Sequence, residues 1–219
     1  MILSCIIPIA ISIFVNSWTL IPLAISTVLV FLYLLKRKNK VLGNLSWFFR
    51  GLIQASYFIY ALLFYANNFS QISILISILI FLVTSARSLV GDLRDEKNNR
   101  EANKQTLVVT YGKIVSVIVI ETFLVISIIL SSFCFNFLIA IPLLLLGLSL
   151  ILFRNQRNNY YSHQLTVMTT MFFSINLIFY LLRFDLLLIN LAYLGIFLNM
   201  IFYPLLDRKS NPKFEQDEK

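Results

Sequence analysis

Apolar residues gather into eight long runs, at positions 2–15, 18–35, 45–66, 72–90, 114–131, 135–153, 164–182 and 186–206, separated by short polar breaks. A chain crossing about 30 Å of hydrocarbon must satisfy its backbone internally, and runs of about 17 to 22 residues rich in Leu, Ile and Phe do so as helices. A transmembrane barrel would instead show segments of about ten residues alternating polar with apolar, and none is present. The pattern therefore predicts an all-α fold, a polytopic transmembrane bundle of about eight helices. No linker long enough to divide domains interrupts it, and unequal runs with different loop chemistry give no strict internal repeat. Residues 1–206 read as one transmembrane domain. Residues 207–219 are polar and charged, include Pro212, and read as a disordered cytoplasmic tail.

Composition agrees with this picture. Hydrophobic residues make up 59% of the 219, charged residues only 13%, and the mean hydropathy is +0.84, which a soluble domain with a wetted surface would not reach. Charge then supplies orientation. The breaks at 36–44, 91–113, 154–162 and 207–219, with their immediate flanks, hold every Lys and Arg except Arg183. The opposite turns carry Asn16, Asn67, Asn68 and Asn136, and Arg183 beside Asp185, which reads as a local pair. By the positive-inside rule both termini and the charged breaks face the cytoplasm.

The net charge of +8 does not point to nucleic acid, because the basic residues form no continuous stripe. Anionic lipid head groups and phosphate-bearing substrates are better partners. Cys5 and Cys134 offer neither a metal spacing nor a disulfide framework and read as core packing. The N-terminus lacks the basic start and small-residue cleavage site of a secretory signal, so the first run belongs to the mature protein.

The break after the fourth run carries the densest chemistry, Arg87-Ser88-Leu89-Val90-Gly91-Asp92-Leu93-Arg94-Asp95-Glu96-Lys97-Asn98-Asn99-Arg100. If helix continues past Val90, then at about 100° per residue Asp92, Asp95, Glu96, Asn99 and Asn103 share one face, flanked by Arg94, Lys97, Arg100 and Lys104. Oxygen donors grouped this way suit Mg²⁺, which takes one or two carboxylates together with waters and substrate phosphates. The plainer reading is a wet loop whose charges form i,i+4 pairs.

The order of residues goes further. Arg87, then Asp92-x-x-Asp95-x-x-x-Asn99-Arg100, then Gln105-Thr106-Leu107 and Gly112, resembles the second aspartate-rich motif of UbiA-type prenyltransferases. Asn99 stands where that family has a third Asp, and Asn103 where it has Gly. Asn99 still offers a carbonyl oxygen, and Glu96 on the same face supplies a charge. Tyr33, Lys36 and Gly43-Asn44 are similar to a Tyr-and-Lys signature after the family's fourth helix. By themselves a Tyr and a Lys ending a membrane helix are interfacial anchors.

The resemblance implies a membrane enzyme that moves an isoprenyl group from a polyprenyl diphosphate to an aromatic or other lipid-soluble acceptor, with Mg²⁺ as cofactor. It implies Asp92 and Asp95 as catalytic, metal-holding residues assisted by Glu96 and Asn99. Lys36, Arg87, Arg100 and Lys104 would contact the diphosphate. Ideal helix spacing from Asp92 points Arg87 off the acidic face unless Gly91 kinks the chain. The spacing fits members acting on glyceryl phosphates, homogentisate or naphthoate as well as hydroxybenzoate, so the acceptor stays open. Trp47-Phe48-Phe49, Phe172-Phe173 and Phe179-Tyr180 read either as tunnel lining for a prenyl chain or as lipid-facing aromatics.

The family's first aspartate-rich motif has no counterpart, since Asp92 is the first acidic residue in the chain. The short first run corresponds to the family's third helix, so two helices and the first motif are expected upstream of Met1; the alternative is a degenerate homologue. Numbered from that third helix, the last run is a tenth where the family has nine, so either residues 164–206 contain an additional helix or one stretch is re-entrant or interfacial. Glu121 lies inside the fifth run, where an ionisable group is costly. It marks a transporter-like alternative, or is protonated or bonded to Gln54 or Asn176. His163, among Tyr160, Tyr161 and Ser162, has no second His or Cys beside it and reads as interfacial. A non-catalytic membrane partner is the third reading.

Overall fold

A computed structural model describes residues 12–14, 16–36, 39–65, 70–152, 159–181 and 185–207, excluding the side chains at 65, 149, 151–152, 159–162 and 199–207. Those residues are helical or in short turns, with no strand among them. The chain divides into two compact units, Met1–Ser127 and Ile128–Lys219.

In the first unit a 3-10 turn at Ser17–Thr19 leads into α1 (Leu20–Leu35), followed by the short α2 (Lys40–Asn44), then α3 (Ser46–Tyr65) and α4 (Gln71–Arg94). Two more short helices, α5 (Glu96–Glu101) and α6 (Leu107–Tyr111), precede α7 (Lys113–Cys134), within which the division between the units falls. The second unit holds α8 (Phe137–Leu152), α9 (Asn159–Leu181) and α10 (Leu186–Asp207). Seven of the apolar runs thus become α1, α3, α4, α7, α8, α9 and α10. The first run, apart from helical residues 12–14, lies outside the described residues, as do Cys5, Arg183 and the expected tail after Asp207.

Five helices are long and apolar enough to cross a bilayer: Ser17–Leu35, Ser46–Phe64, Gln71–Arg94, Lys113–Cys134 and His163–Leu181. Phe137–Leu148 and Leu186–Leu198 are apolar but shorter. Outward-pointing residues such as Val28, Phe31, Ile118 and Phe133 are exposed, as a lipid-facing surface requires. Cys134 also is exposed at the end of α7, which overturns its reading as core packing. Lipid tails are as apolar as a core, so its small apolar thiol needs no burial.

The polar residues in the turns start the helices. Asn39 accepts from Val41 N–H at 2.9 Å, Ser70 from Ser73 N–H at 3.2 Å, Asn136 from Leu138 N–H at 2.9 Å and Asp185 from Leu187 N–H at 2.8 Å. Each satisfies a donor that the first turn leaves without an intrahelical partner. Within the helices, Ser56, Ser77, Thr122 and Ser127 donate to the carbonyl four residues earlier. Their hydroxyls are satisfied without leaving the helix.

Small residues set the helix spacing in the first unit. A Cβ at Gly51 on α3 would lie 2.0 Å from Ser85 Oγ and 2.8 Å from the Phe81 carbonyl oxygen on α4, so only glycine permits this approach. Beside the crossing, Trp47 and Phe48 of α3 meet Phe123 of α7 and Phe81 of α4 edge-on, with centroids 5.4 and 5.2 Å apart. Trp47 and Phe49 are buried. These aromatics are interhelical packing rather than lipid-facing residues.

In the second unit a polar knot ties three helices. Asn190 of α10 and Asn176 of α9 both donate to the Leu138 carbonyl of α8, at 3.0 and 3.2 Å. Asn176 also donates to Asn190 Oδ1 at 2.8 Å. Interhelical amide bonds of this kind hold membrane helices where burial alone gives no drive. Beside the knot, Tyr193 shares a 2.8 Å hydroxyl bond with Thr169 and packs with Leu165 and Phe197.

Candidate functional site

The Asp92 loop is mostly helical. α4 runs through Gly91 to Arg94, with Asp95 N–H donating to the Gly91 carbonyl at 3.0 Å. Asp95 interrupts the helix and α5 resumes it to Glu101. The chain then reverses through Asn103 at φ 50°, where Lys104 N–H reaches the Asn99 carbonyl at 2.9 Å and Asn103 N–H reaches that of Arg100 at 3.1 Å. This paired C-terminal closure calls for a left-handed residue, a place for Gly or, next best, Asn. Asn103 standing at the motif's glycine position is thereby explained. It also corrects the expected acidic face, because Asn103 has left the helix and is exposed.

The remaining acidic-face residues differ in their surroundings. Asp92 is 7% exposed, and its Oδ2 is buried without a hydrogen-bond partner. Asn99, one turn beyond Asp95, is also buried. Asp95 pairs with Arg94 at 2.7 Å, and Glu96 pairs with Arg100 at 2.9 Å. Lys104 is exposed. Arg87 is exposed on α4; the helix runs unbroken through Gly91, and ideal spacing puts Arg87 about 140° around it from Asp92.

Opposite Asp92 stands a cluster that joins both motif segments. Tyr33, on the last turn of α1, accepts from Lys36 Nζ at 2.6 Å and from Arg50 Nε at 2.8 Å. A terminal nitrogen of Arg50 also reaches the same hydroxyl. Lys36 Nζ sits 3.8 Å from the Tyr33 ring centroid, close enough for a cation–π contact. From α3, Arg50 extends to α4 and donates to Ser88 Oγ at 3.0 Å. Ser88 lies one turn before Asp92, and the charges of Arg50 and Lys36 act on the Asp92 carboxylate.

The segments after these helices also meet. A Cβ at Gly43 on α2 would lie 2.2 Å from the Gln105 carbonyl oxygen, and Thr110 Oγ1 donates to Asn44 Oδ1 at 2.7 Å and to Gln105 Oε1 at 3.3 Å. Thr106 caps α6, accepting from Val109 N–H. Gly43-Asn44 and Gln105-Thr106-Leu107, far apart in sequence, therefore pack together.

A model of the UbiA prenyltransferase family matches residues 1–177. The chain belongs to that family. No curated protein and no solved structure matches it. The fold fits the assignment, since UbiA proteins are helical membrane proteins, and the apolar helices make this one an integral membrane protein. The matched stretch holds the whole first unit and ends within α9.

UbiA prenyltransferases generally use a divalent metal. The described residues contain no group of three or more Asp, Glu, His or Cys able to hold one. The donor set fits in part: a buried carboxylate oxygen lacking a partner at Asp92, with Asp95 and Asn99 on successive turns. Mg²⁺ tolerates such a sparse protein shell where substrate phosphates complete it.

Sequence reasoning missed Arg50. Position alone groups it with the basic flanks, although an arginine inside an apolar run, between Phe49 and Gly51, is itself a signal that a partner must be present. Glu121 Oε1 is buried without a hydrogen-bond partner. Asn176, one of its expected partners, is bonded to Asn190 and Leu138, and Gln54 is exposed.

Proposed function

We propose that this protein transfers an isoprenyl group from a polyprenyl diphosphate to an aromatic or other lipid-soluble acceptor, in a Mg²⁺-dependent reaction at the cytoplasmic face of the membrane. The observation that carries the reading is the cation pair Lys36 and Arg50, held on the Tyr33 hydroxyl near Asp92, whose buried Oδ2 has no hydrogen-bond partner. A diphosphate requires cationic donors and a metal-holding carboxylate within one site, and residues of both motif segments provide them.

In this reading Asp92 and Asp95 hold the metal, with Asn99 and Glu96 assisting, and Lys36 and Arg50 donate to the diphosphate. Arg100 and Lys104 draw the anion to the loop, and Arg87 contributes only to the surrounding positive field. Bound Mg²⁺ would neutralise the charge that develops on the departing diphosphate. The allylic carbon–oxygen bond breaks with both electrons leaving on the diphosphate, and the acceptor's electron pair forms the new bond to carbon as the acceptor loses a proton.

The prenyl chain has a place to lie. An apolar groove of about 440 Å³ runs between α1 and α3, lined by Ile21, Ile25, Leu29, Leu52, Ile59 and Leu63 among others. Leu29 is one helical turn from Tyr33, so the groove leads toward the cation pair. Water exclusion along it protects the reacting carbon.

A second reading, transport centred on Glu121, rests on the buried Oε1 that nothing satisfies. Prenyl transfer assayed in membranes against a panel of acceptors separates the two. The enzyme reading predicts Mg²⁺-dependent product that disappears in Asp92→Asn and persists in Glu121→Gln. Absence of product with every acceptor, in a chain supplied with any upstream segment its gene encodes, would contradict it.

A further inference from the structure

We infer that Arg50 is a diphosphate-binding residue whose grip does not require the metal, and that Tyr33 is the positioning residue that sets its guanidinium. This deepens the proposed function and rests on it. Arginine carries five N–H donors. Three are used in the described structure, two on Tyr33 and one on Ser88. Two N–H groups remain, on the two terminal nitrogens, and Lys36 keeps two of its three after bonding Tyr33.

Charge points the same way. Lys36 and Arg50 bring two positive charges to one phenolic oxygen, and among the described residues the nearby carboxylates are Asp92, which is buried, and Asp95, already paired with Arg94. Two cations drawn together in a half-buried setting repel one another, and a phenol oxygen shared between them compensates only in part. An anionic phosphate group accepting from both cations offsets that repulsion. Arginine's planar fork, pre-set by the bonds to α1 and α4, suits phosphate oxygens better than the point charge of lysine.

Arg50 reaches the site from α3, an element that carries neither motif. It therefore links the α1/α3 groove to the α4 carboxylate, so that the apolar tail and the diphosphate of one substrate are read on a single helix. Tyr33 acts through Arg50 and Lys36, holding both cations in register.

Equilibrium binding of an isoprenyl diphosphate and of inorganic pyrophosphate to the purified protein in detergent, with Mg²⁺ and with EDTA, tests the assignment. Arg50→Gln should weaken binding of both by about 10- to 100-fold, in EDTA as well as in Mg²⁺. Arg50→Lys should recover part of that loss, and Tyr33→Phe should show an intermediate loss. In turnover, Arg50→Gln should raise KM more than it lowers kcat. Wild-type binding that Arg50→Gln leaves unchanged overturns this inference alone; so does a loss seen only when Mg²⁺ is present. A wild-type protein that binds neither ligand under any condition overturns the proposed function with it. Competition by phosphatidylglycerol equal to that of the diphosphate would reassign the site to a lipid head group.

Discussion

Replacing Gly43 by alanine tests whether the two motif segments depend on each other. The added Cβ would lie 2.2 Å from the Gln105 carbonyl oxygen and 3.2 Å from its carbonyl carbon. Both are backbone atoms, and no side chain can rotate aside, so α2 and the 104–106 segment must separate by more than an ångström to restore ordinary contact. Overpacking of that kind costs about 1–3 kcal/mol, which in a chain of this size lowers the melting temperature by about 2–12 °C. The functional effect should be larger, because a misplacement of about 1 Å in a reacting site costs about 100-fold in rate. Gly195→Ala is the control, since nothing lies within 4 Å of its added Cβ; it should leave melting unchanged or raise it slightly. Thermal unfolding in detergent and initial rates of prenyl transfer measure both. A Gly43→Ala protein that melts and turns over like the wild type would refute the idea that this contact positions the site.

Three further outcomes follow from particular contacts. Asn103→Val should cost about 1–2 kcal/mol because its φ of 50° is a left-handed conformation, while Asn103→Gly should be neutral or stabilising; thermal melts decide between them. Asn190→Leu removes the bond from Asn176 to Asn190 Oδ1 and one of the two bonds to the Leu138 carbonyl, lowering stability by about 0.6–2 kcal/mol without changing the diphosphate affinity of the first unit. Glu121→Gln keeps the shape of the side chain and removes its ability to ionise, and should leave prenyl-transfer rates within about twofold if the carboxylate has no part in the reaction.

The sequence made the membrane character legible because hydropathy reports removal from water directly. Seven of the eight apolar runs became helices close to their expected limits. Asp92 and the Tyr33–Lys36 pair were legible through their order, and the structure brings them to one place. Faces were harder to read. In lipid both sides of a helix are apolar, so the 3.6-residue period that separates core from surface in water carries little contrast. That is why Cys134 was expected inside, and why Trp47 and Phe48 were left between tunnel and lipid.

Arg50 was hidden by proximity to the basic break before it. Its role depends on Ser88 and Tyr33, which are 38 and 17 residues away, and no local pattern reports such a contact. The helices inside the polar breaks, α2, α5 and α6, are five or six residues long and leave no periodic signal. The reversal at Asn103 was visible only as a departure from a motif until its backbone angle showed why asparagine suffices.

In the proposed function Asp92 and its neighbours form a partial metal site completed by the phosphates of the substrate. Mn²⁺ in place of Mg²⁺, followed by electron paramagnetic resonance on the purified protein, reads this directly. Uptake of Mn²⁺ should require an isoprenyl diphosphate and should be lost in Asp92→Asn. Mn²⁺ bound equally well without the diphosphate, or held undiminished by Asp92→Asn in its presence, would contradict the account.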